Sequence, residues 1–325
     1  MAQNPLDREM RLAQKIDSIV AAGEFNGVVL VTREETVIYR GVFGYSDLEA
    51  KTPIIVDNQF VIGSISKQIT AALVLREFEK GTIDLDAKLK KYLPELEQEW
   101  SSIVTVHQLL THTHGIVNLN EDLEFEAGSQ FHYSQLGFEL LAKILESVRG
   151  VSFEKLSMDL FAELQLTSTF HPDTKQYDRL VKGYEEDVNG QLNYVTTSLA
   201  NYAAAGAFIS TMDDLNAWNY LLHAGKIVQP TTLERMKTRY ATRIHPIFGT
   251  VEYGYGLLFR ANEENVQIGA LGYADGFVSA AYYFPAAKMS VVVLSNVAGD
   301  LDEFKKTFVV HLGILEATKQ HADQE

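Results

Sequence analysis

Cysteine is absent from the 325-residue sequence. That excludes a thiol nucleophile, a disulfide framework and any cysteine-ligated zinc or iron–sulfur site. Basic residues are scarce too: 28 Lys and Arg stand against 43 Asp and Glu, giving a formal charge of -15. Nucleic-acid binding is led by clustered cations that release counterions, so this balance, with no basic stripe, argues against a nucleic-acid partner. No apolar run approaches the ~18 residues needed to cross a bilayer, so no membrane span is expected. The opening Met1 to Pro5 lacks the basic and apolar regions of a signal peptide. The compartment stays open, with an exported, periplasmic chain, its leader removed and replaced by a new start residue, expected over a cytoplasmic one.

What is present is core material. Hydrophobic residues make up 46% of the chain and charged ones only 22%, which rules out the disordered and fibrous classes. Leu12, Ile16, Ile19 and Val20 recur at helical spacing before Gly23, so the chain opens with an amphipathic helix. Residues 27–33 and 36–43 read as an antiparallel hairpin turning at Glu34 and Glu35. A helix from Ile65 to Lys80 is apolar on nearly every face, which suits the middle of a protein.

Helical periods follow, clearest over Leu136 to Val148, and a hairpin is expected at Asn189-Gly190. Residues 203–209 read as a small-residue strand or turn. Ser210 and Thr211 offer capping boxes for a helix carrying Leu215, Trp218, Leu221 and Leu222. Strands are then expected over 253–259, 266–271, 277–284 and 289–294, and a helix from Leu301 to about Thr318. The pattern predicts an α/β (α+β) fold: one antiparallel sheet assembled from distant chain ends, flanked by helices, with a helical insertion. The expected division is residues 1–82 with 205–325 as the sheet domain and 83–204 as the helical insertion.

Candidate chemistry is limited. No phosphate-binding glycine motif occurs, and Gly254-Tyr255-Gly256 has only part of the spacing. His107, His112 and His114 form a tempting cluster but lack the helical i, i+4 pairing of a zinc site, so no metal and no cofactor is expected. Serine followed three residues later by lysine occurs at Ser64/Lys67 and at Ser152/Lys155, and context separates the two. Ser152 looks like an N-cap. Ser64 lies where an apolar strand hands over to the all-apolar helix. There its hydroxyl and backbone N–H meet the positive end of the helix, where a developing oxyanion is stabilised. Lys67 follows one turn later on the same face, and burial of its ammonium should lower its pKa so that a neutral amine can take the serine proton.

The run FVIGSISKQITA from Phe60, with EKGTIDLD from Glu79 and KYLP from Lys91, resembles the nucleophile region of the class C β-lactamase-related serine hydrolases. That family also holds penicillin-binding DD-peptidases, D-aminopeptidases and carboxylesterases. Further blocks follow in order: VHQLLTHTHG from Val106, FHYSQLGFELL from Phe131, AGAFISTMDDL from Ala205, GFVS from Gly276 and VVVLSN from Val291. The likeness spans nearly the whole chain, and it makes the histidine block structural.

Position by position, the resemblance implies Ser64 as the acylated nucleophile, Lys67 as its partner and Tyr133 as a proton shuttle with a depressed pKa. It puts Gly272 on the glycine of the substrate-binding strand. It also implies that the backbone N–H of Tyr273 pairs with that of Ser64 as the oxyanion hole. Two departures stand out: Gln135 replaces an asparagine that contacts substrate, and Ala270 falls where the family carries Lys, His or Trp. With no cation at Ala270 and a negative chain overall, an anionic substrate is disfavoured. The segments 118–128 and 240–251 are expected to line the cleft.

The expected activity is a serine hydrolase acting on an ester or amide through an acyl-enzyme on Ser64, with a small-molecule or short-peptide substrate. The expected range runs from carboxylesterase through D-amino-acid peptidase to weak β-lactamase, and a third reading, passage of the acyl group to an amine or alcohol instead of water, differs only in the acceptor pocket. The rival is a weakened penicillin-binding-like protein that holds cell-wall fragments or a partner without turnover. Oligomeric state is left open.

Overall fold

The computed structural model describes residues 5–34, 36–196, 199, 202–261, 268–299 and 303–323. Its centre is an eight-stranded antiparallel sheet. From one edge to the other the strands run Thr36–Phe43, Gly27–Arg33, Met289–Ser295, Phe277–Phe284, Ile268–Ala274, Leu258–Arg260, Gly249–Tyr253 and Ala241–His245. The first hairpin therefore sits beside a strand from near the other end of the chain, with Gly27 opposite Ser295 and Arg33 opposite Met289. This is the predicted sheet of distant chain ends.

Period-two alternation explains how both faces bury. Val29 and Val31 point to one face and pack with Leu12, Ile16 and Val20 of the first helix (Pro5–Ala22) and with Ile314 and Leu315 of the last (Val309–Ala322). Val28 and Leu30 point to the other face and join a larger core with the helix Ser66–Glu79. Ile69, Val74 and Leu75 of that helix are buried, each contributing roughly 1.5–3 kcal/mol of apolar burial. The helix is greasy all round because sheet and helical layers enclose it on every side.

One expected strand needs revision. The strand read over 253–259 is broken: Gly249–Tyr253 and Leu258–Arg260 are separate strands joined by a tight turn. Gly256 adopts φ +71° there, and a Cβ on it would stand 2.9 Å from the Lys67 carbonyl oxygen, so the turn is pressed onto the first turn of the central helix. The strand Ala241–His245 escaped the sequence reading altogether. Residues 203–207 form a wide helical turn, followed by the short strand Ile209–Ser210 that pairs with Phe60–Val61. Glu35 of the expected turn, residues 266–267 of an expected strand and the start of the last helix at residues 301–302 lie outside the described residues. Among the described residues no helix is long and apolar enough to cross a membrane.

Candidate active site

The short strand Phe60–Val61 delivers the chain to a single 3₁₀ turn, Gly63–Ile65, which runs into the helix Ser66–Glu79. Gly63 has φ +53°, and a Cβ there would stand 2.5 Å from the backbone nitrogen of Tyr273. At Gly272 a Cβ would stand 2.2 Å from the Ile62 carbonyl oxygen. Two glycines thus let the strand Ile268–Ala274 press its backbone against the turn that carries Ser64. The Ser279 hydroxyl donates to the same Ile62 carbonyl at 2.7 Å and ties the neighbouring strand to it.

The central helix grips the wide turn at residues 203–207 with three side chains. The Ser66 hydroxyl oxygen accepts from the Phe208 N–H at 3.2 Å, Thr70 donates to the Ala204 carbonyl at 2.7 Å, and Lys67 donates to the Ala205 carbonyl at 2.6 Å. Lys67 is 1% exposed. Its Nζ also lies 2.6 Å from Gln135 Oε1 and 3.3 Å from Ser64 Oγ. Burial pulls its pKa down to about 7, with the Glu139 carboxylate raising it and the Arg243 cation lowering it.

Tyr133 stands just ahead of the helix Gln135–Arg149, whose N-cap is Ser134 accepting from the Gly137 N–H at 3.1 Å. Its hydroxyl donates to Ser64 Oγ at 2.8 Å. Its pKa is raised, because burial outweighs the opposing effects of the contact with Ser64 and of the Arg243 charge. This corrects the expected depression: a buried phenol loses more hydration than nearby positive charge returns. The Tyr133 ring stands 4.7 Å from Lys67 Nζ and 5.1 Å from the Arg243 guanidinium.

The histidine block supports this arrangement from behind. His112 packs against the Tyr133 ring at 4.5 Å, its Nδ1 accepts from the Ser134 N–H, and its Nε2 lies 3.2 Å from the Tyr253 hydroxyl. His114 takes the Ile116 N–H on its Nδ1 and abuts Gly137, where a Cβ would stand 2.6 Å from its Nε2. Burial holds both imidazoles well below their usual pKa and therefore neutral. Among the described residues no group of His, Asp and Glu side chains is placed to hold a metal ion. Ser152 caps the helix Phe153–Glu163 by accepting from the Lys155 N–H, as its context suggested.

A cavity of about 740 Å³ opens in front of Ser64. Tyr133, Gln135, Ala270 and Tyr273 line it, together with Arg243 and His245 from the strand the sequence did not show. Segment 240–251 thus contributes to the cleft as expected, whereas no residue of 118–128 reaches the cavity wall. Gln135 does not simply face the cleft: its Oε1 holds Lys67 and its Nε2 donates to the Tyr202 hydroxyl at 3.1 Å.

The family model described as Beta-lactamase matches residues 12–314. The chain belongs to the Beta-lactamase family. Penicillin-binding protein 4* of Bacillus subtilis is 25% identical over 285 residues, covering 75% of this chain and 62% of that protein. The chain therefore spans under two thirds of that relative's length. Esterase EstB of Burkholderia gladioli is 38% identical over 93 residues, 27% of this chain and 24% of its own. The octameric penicillin-binding protein homologue from Pyrococcus abyssi superposes with a TM-score of 0.79 at 26% identity, covering 93% of this chain and 76% of that one. Fold and family agree with the sequence expectation of a β-lactamase-related chain.

Proposed function

We propose that this family member hydrolyses an ester or amide through an acyl-enzyme on Ser64, with Lys67 as the base and Tyr133 as the acid. The observation that carries the reading is the hydrogen-bond geometry of Lys67. Two of its N–H bonds are engaged at 2.6 Å, by the Ala205 carbonyl and the Gln135 amide oxygen. When Lys67 is neutral, those two acceptors keep both of its protons, so its lone pair is left directed at Ser64 Oγ. A pKa of about 7 makes that neutral form available near neutral pH.

Ser64 Oγ loses its proton to Lys67 and attacks the substrate carbonyl. The backbone N–H groups of Ser64 and Tyr273 would hold the oxyanion, an assignment supported by the close approach of Tyr273 to the nucleophile turn. Tyr133, kept protonated by burial, then donates to the leaving atom and recovers its proton from Lys67. Water repeats the attack on the acyl group. Gln135 serves this scheme mainly by orienting Lys67, and Gly272 by allowing the strand to close on the turn. An exported, periplasmic setting and a small-molecule or short-peptide substrate belong to the same proposal.

The test is turnover of a short p-nitrophenyl ester by the wild type and by Ser64→Ala. Loss of at least 10²-fold in kcat is expected, and unchanged turnover would refute the assignment. Labelling by a fluorophosphonate probe and, separately, by a fluorescent penicillin sorts the class. The first label alone marks an esterase and both mark a penicillin-recognising enzyme. Neither label marks a binding protein without turnover.

A further inference from the structure

The strand Ile268–Ala274 is barely paired along one edge. Among the described residues its register with Leu258–Arg260 has a single position, Leu258 opposite Gly269, whereas all seven of its residues pair with Phe277–Phe284 on the other side. Consecutive residues of a strand point to opposite faces of a sheet. Ala270 and Ala274 belong to the core around the central helix, while Leu271 packs with Phe304 and Phe308 in a separate cluster on the face of the terminal helices. Ala270 and Leu271 nevertheless both line the cavity in front of Ser64. The cavity therefore runs past the nucleophile, through the gap at the open edge of this strand, toward the far face of the sheet. Ala270 contributes only a methyl group at that gap and leaves it open.

The far end of the cavity is apolar. Leu258, Leu271 and Phe304 are half-buried there, and Phe308 is fully buried against Phe304, with 4.8 Å between ring centroids. The His245 ring meets Phe304 edge to face at 5.7 Å, and burial, with the Arg243 charge added, pulls its pKa down to about 4, so it stands neutral. The charged residues of the described lining are Arg243, whose guanidinium lies over the rings of Tyr133 and Phe131, and Asp275, which is exposed. Apolar side chains left half open around one cavity gain from an apolar ligand that covers them. With about 740 Å³ in all, there is room for a chain of several carbons beside the reacting carbonyl.

The same wall indicates which fragment of a substrate reaches that end. Arg243 and His245 stand two residues apart on the edge strand Ala241–His245 and so share a face. Arg243 lies 5.1 Å from the ring of Tyr133, the group argued to hand its proton to the departing atom, and His245 lies against Phe304. The wall thus leads from the departing atom to the apolar end.

We propose that the pocket beyond Ala270, walled by Leu258, Leu271 and Phe304, takes an uncharged apolar alcohol or amine, so that the preferred substrates carry an apolar chain on the leaving fragment of the ester or amide. The inference rests on the assignment of Ser64 and Tyr133 above.

The test compares hexyl acetate with ethyl acetate and with ethyl hexanoate, the isomer that carries the same chain on the acyl side. The leaving alcohols are matched in basicity, so differences in kcat/KM report the pocket. Each added methylene on the alcohol should raise kcat/KM roughly three- to fourfold, or about 10²-fold from ethyl to hexyl acetate, and hexyl acetate should also exceed ethyl hexanoate. Phe304→Ser, which removes an apolar wall, and Ala270→Trp, which sets an indole in the gap, should each lower the hexyl-to-ethyl ratio by roughly tenfold or more. Equal loss on both acetates in both variants would overturn the pocket and mark these residues as acting through the fold. So would a flat chain-length series in the wild type, or a larger gain for ethyl hexanoate than for hexyl acetate. The wild-type series decides the matter even where a variant fails to fold.

Calorimetry on the Ser64→Ala protein separates this inference from the catalytic reading. There hexanol should bind more tightly than ethanol, and the added Phe304→Ser change should weaken it. Selectivity for the longer alcohol with Ser64-independent turnover upholds the pocket and removes the catalytic reading. Ser64-dependent turnover without that selectivity removes the pocket alone.

Discussion

The Tyr133 hydroxyl donates to Ser64 Oγ at 2.8 Å while Lys67 Nζ lies 3.3 Å from the same oxygen. Burial raises the pKa of the first and lowers that of the second, so the two groups flanking Ser64 are pushed toward opposite duties. A neutral amine can accept the serine proton while a neutral phenol gives its own away. Removing the phenol oxygen alone should therefore cost chemistry more than folding. For Tyr133→Phe we expect kcat on a short ester to fall about 10²- to 10⁴-fold, with the thermal midpoint nearly unchanged because the ring contacts with His112 and Arg243 remain. Stopped assays alongside a melting curve check this, and an equal loss in both would contradict the acid role.

The base role has a pH signature. Lys67 binds its proton below about pH 7 and cannot then accept one from Ser64, so kcat/KM should rise with pH through an inflection near 7 and level off above it. The charges facing Lys67 are Glu139, which holds its proton more tightly, and Arg243, which loosens it; His112 is neutral at these pH values. Burial raises the Glu139 carboxyl itself to about 7, so it is partly ionised at the inflection; Glu139→Gln removes that partial charge and the inflection should move to lower pH. A pH–rate profile of the two proteins measures the shift, and a move to higher pH would be the wrong sign.

Gly272 is argued to be glycine because a Cβ would collide with backbone. The Ile62 carbonyl at 2.2 Å cannot rotate away as a side chain can, and Ser279 Oγ stands equally close. Gly272→Ala should destabilise the protein by roughly 1–3 kcal/mol and push Tyr273 away from the nucleophile turn. Urea unfolding together with ester turnover reports both effects. Native stability and activity in this variant would show that the contact gives way cheaply.

His112 is expected to act on rate without touching substrate. It takes the Ser134 N–H and packs on the Tyr133 ring, so His112→Ala leaves a buried donor unpaired and the phenol less well held. The expected result is a loss of about 1–3 kcal/mol in stability and a fall in kcat larger than any rise in KM. A change confined to KM would argue against positioning of Tyr133.

The parts of the site that were legible in sequence are those in which chemistry and local structure share a short stretch. Ser64 and Lys67 lie one turn apart at the head of a helix whose apolar residues announce its burial, and both the burial and the lowered pKa follow from that pattern. Arg243 was not legible. Its strand is a short edge strand whose one large apolar residue, Ile244, is exposed, so it carries little apolar signal. Its meeting with Tyr133 depends on pairing across the sheet edge that no local spacing encodes. The turn at Gly254 to Leu257 was hidden for a related reason: Tyr253, Tyr255, Leu257 and Phe259 alternate like a strand, and only contact with the Lys67 backbone shows why the chain bends. The sign of the Tyr133 shift was missed because proximity to cations is visible in a motif whereas depth of burial is not.

The central claim is a covalent acyl-enzyme on Ser64, and intact-mass spectrometry after exposure to a fluorophosphonate, followed by peptide mapping, tests it most directly. The account predicts a single adduct on the peptide containing Ser64, absent from Ser64→Ala and formed more slowly as the pH drops below 7. An adduct mapped to any other residue, or none on correctly folded protein, would contradict it.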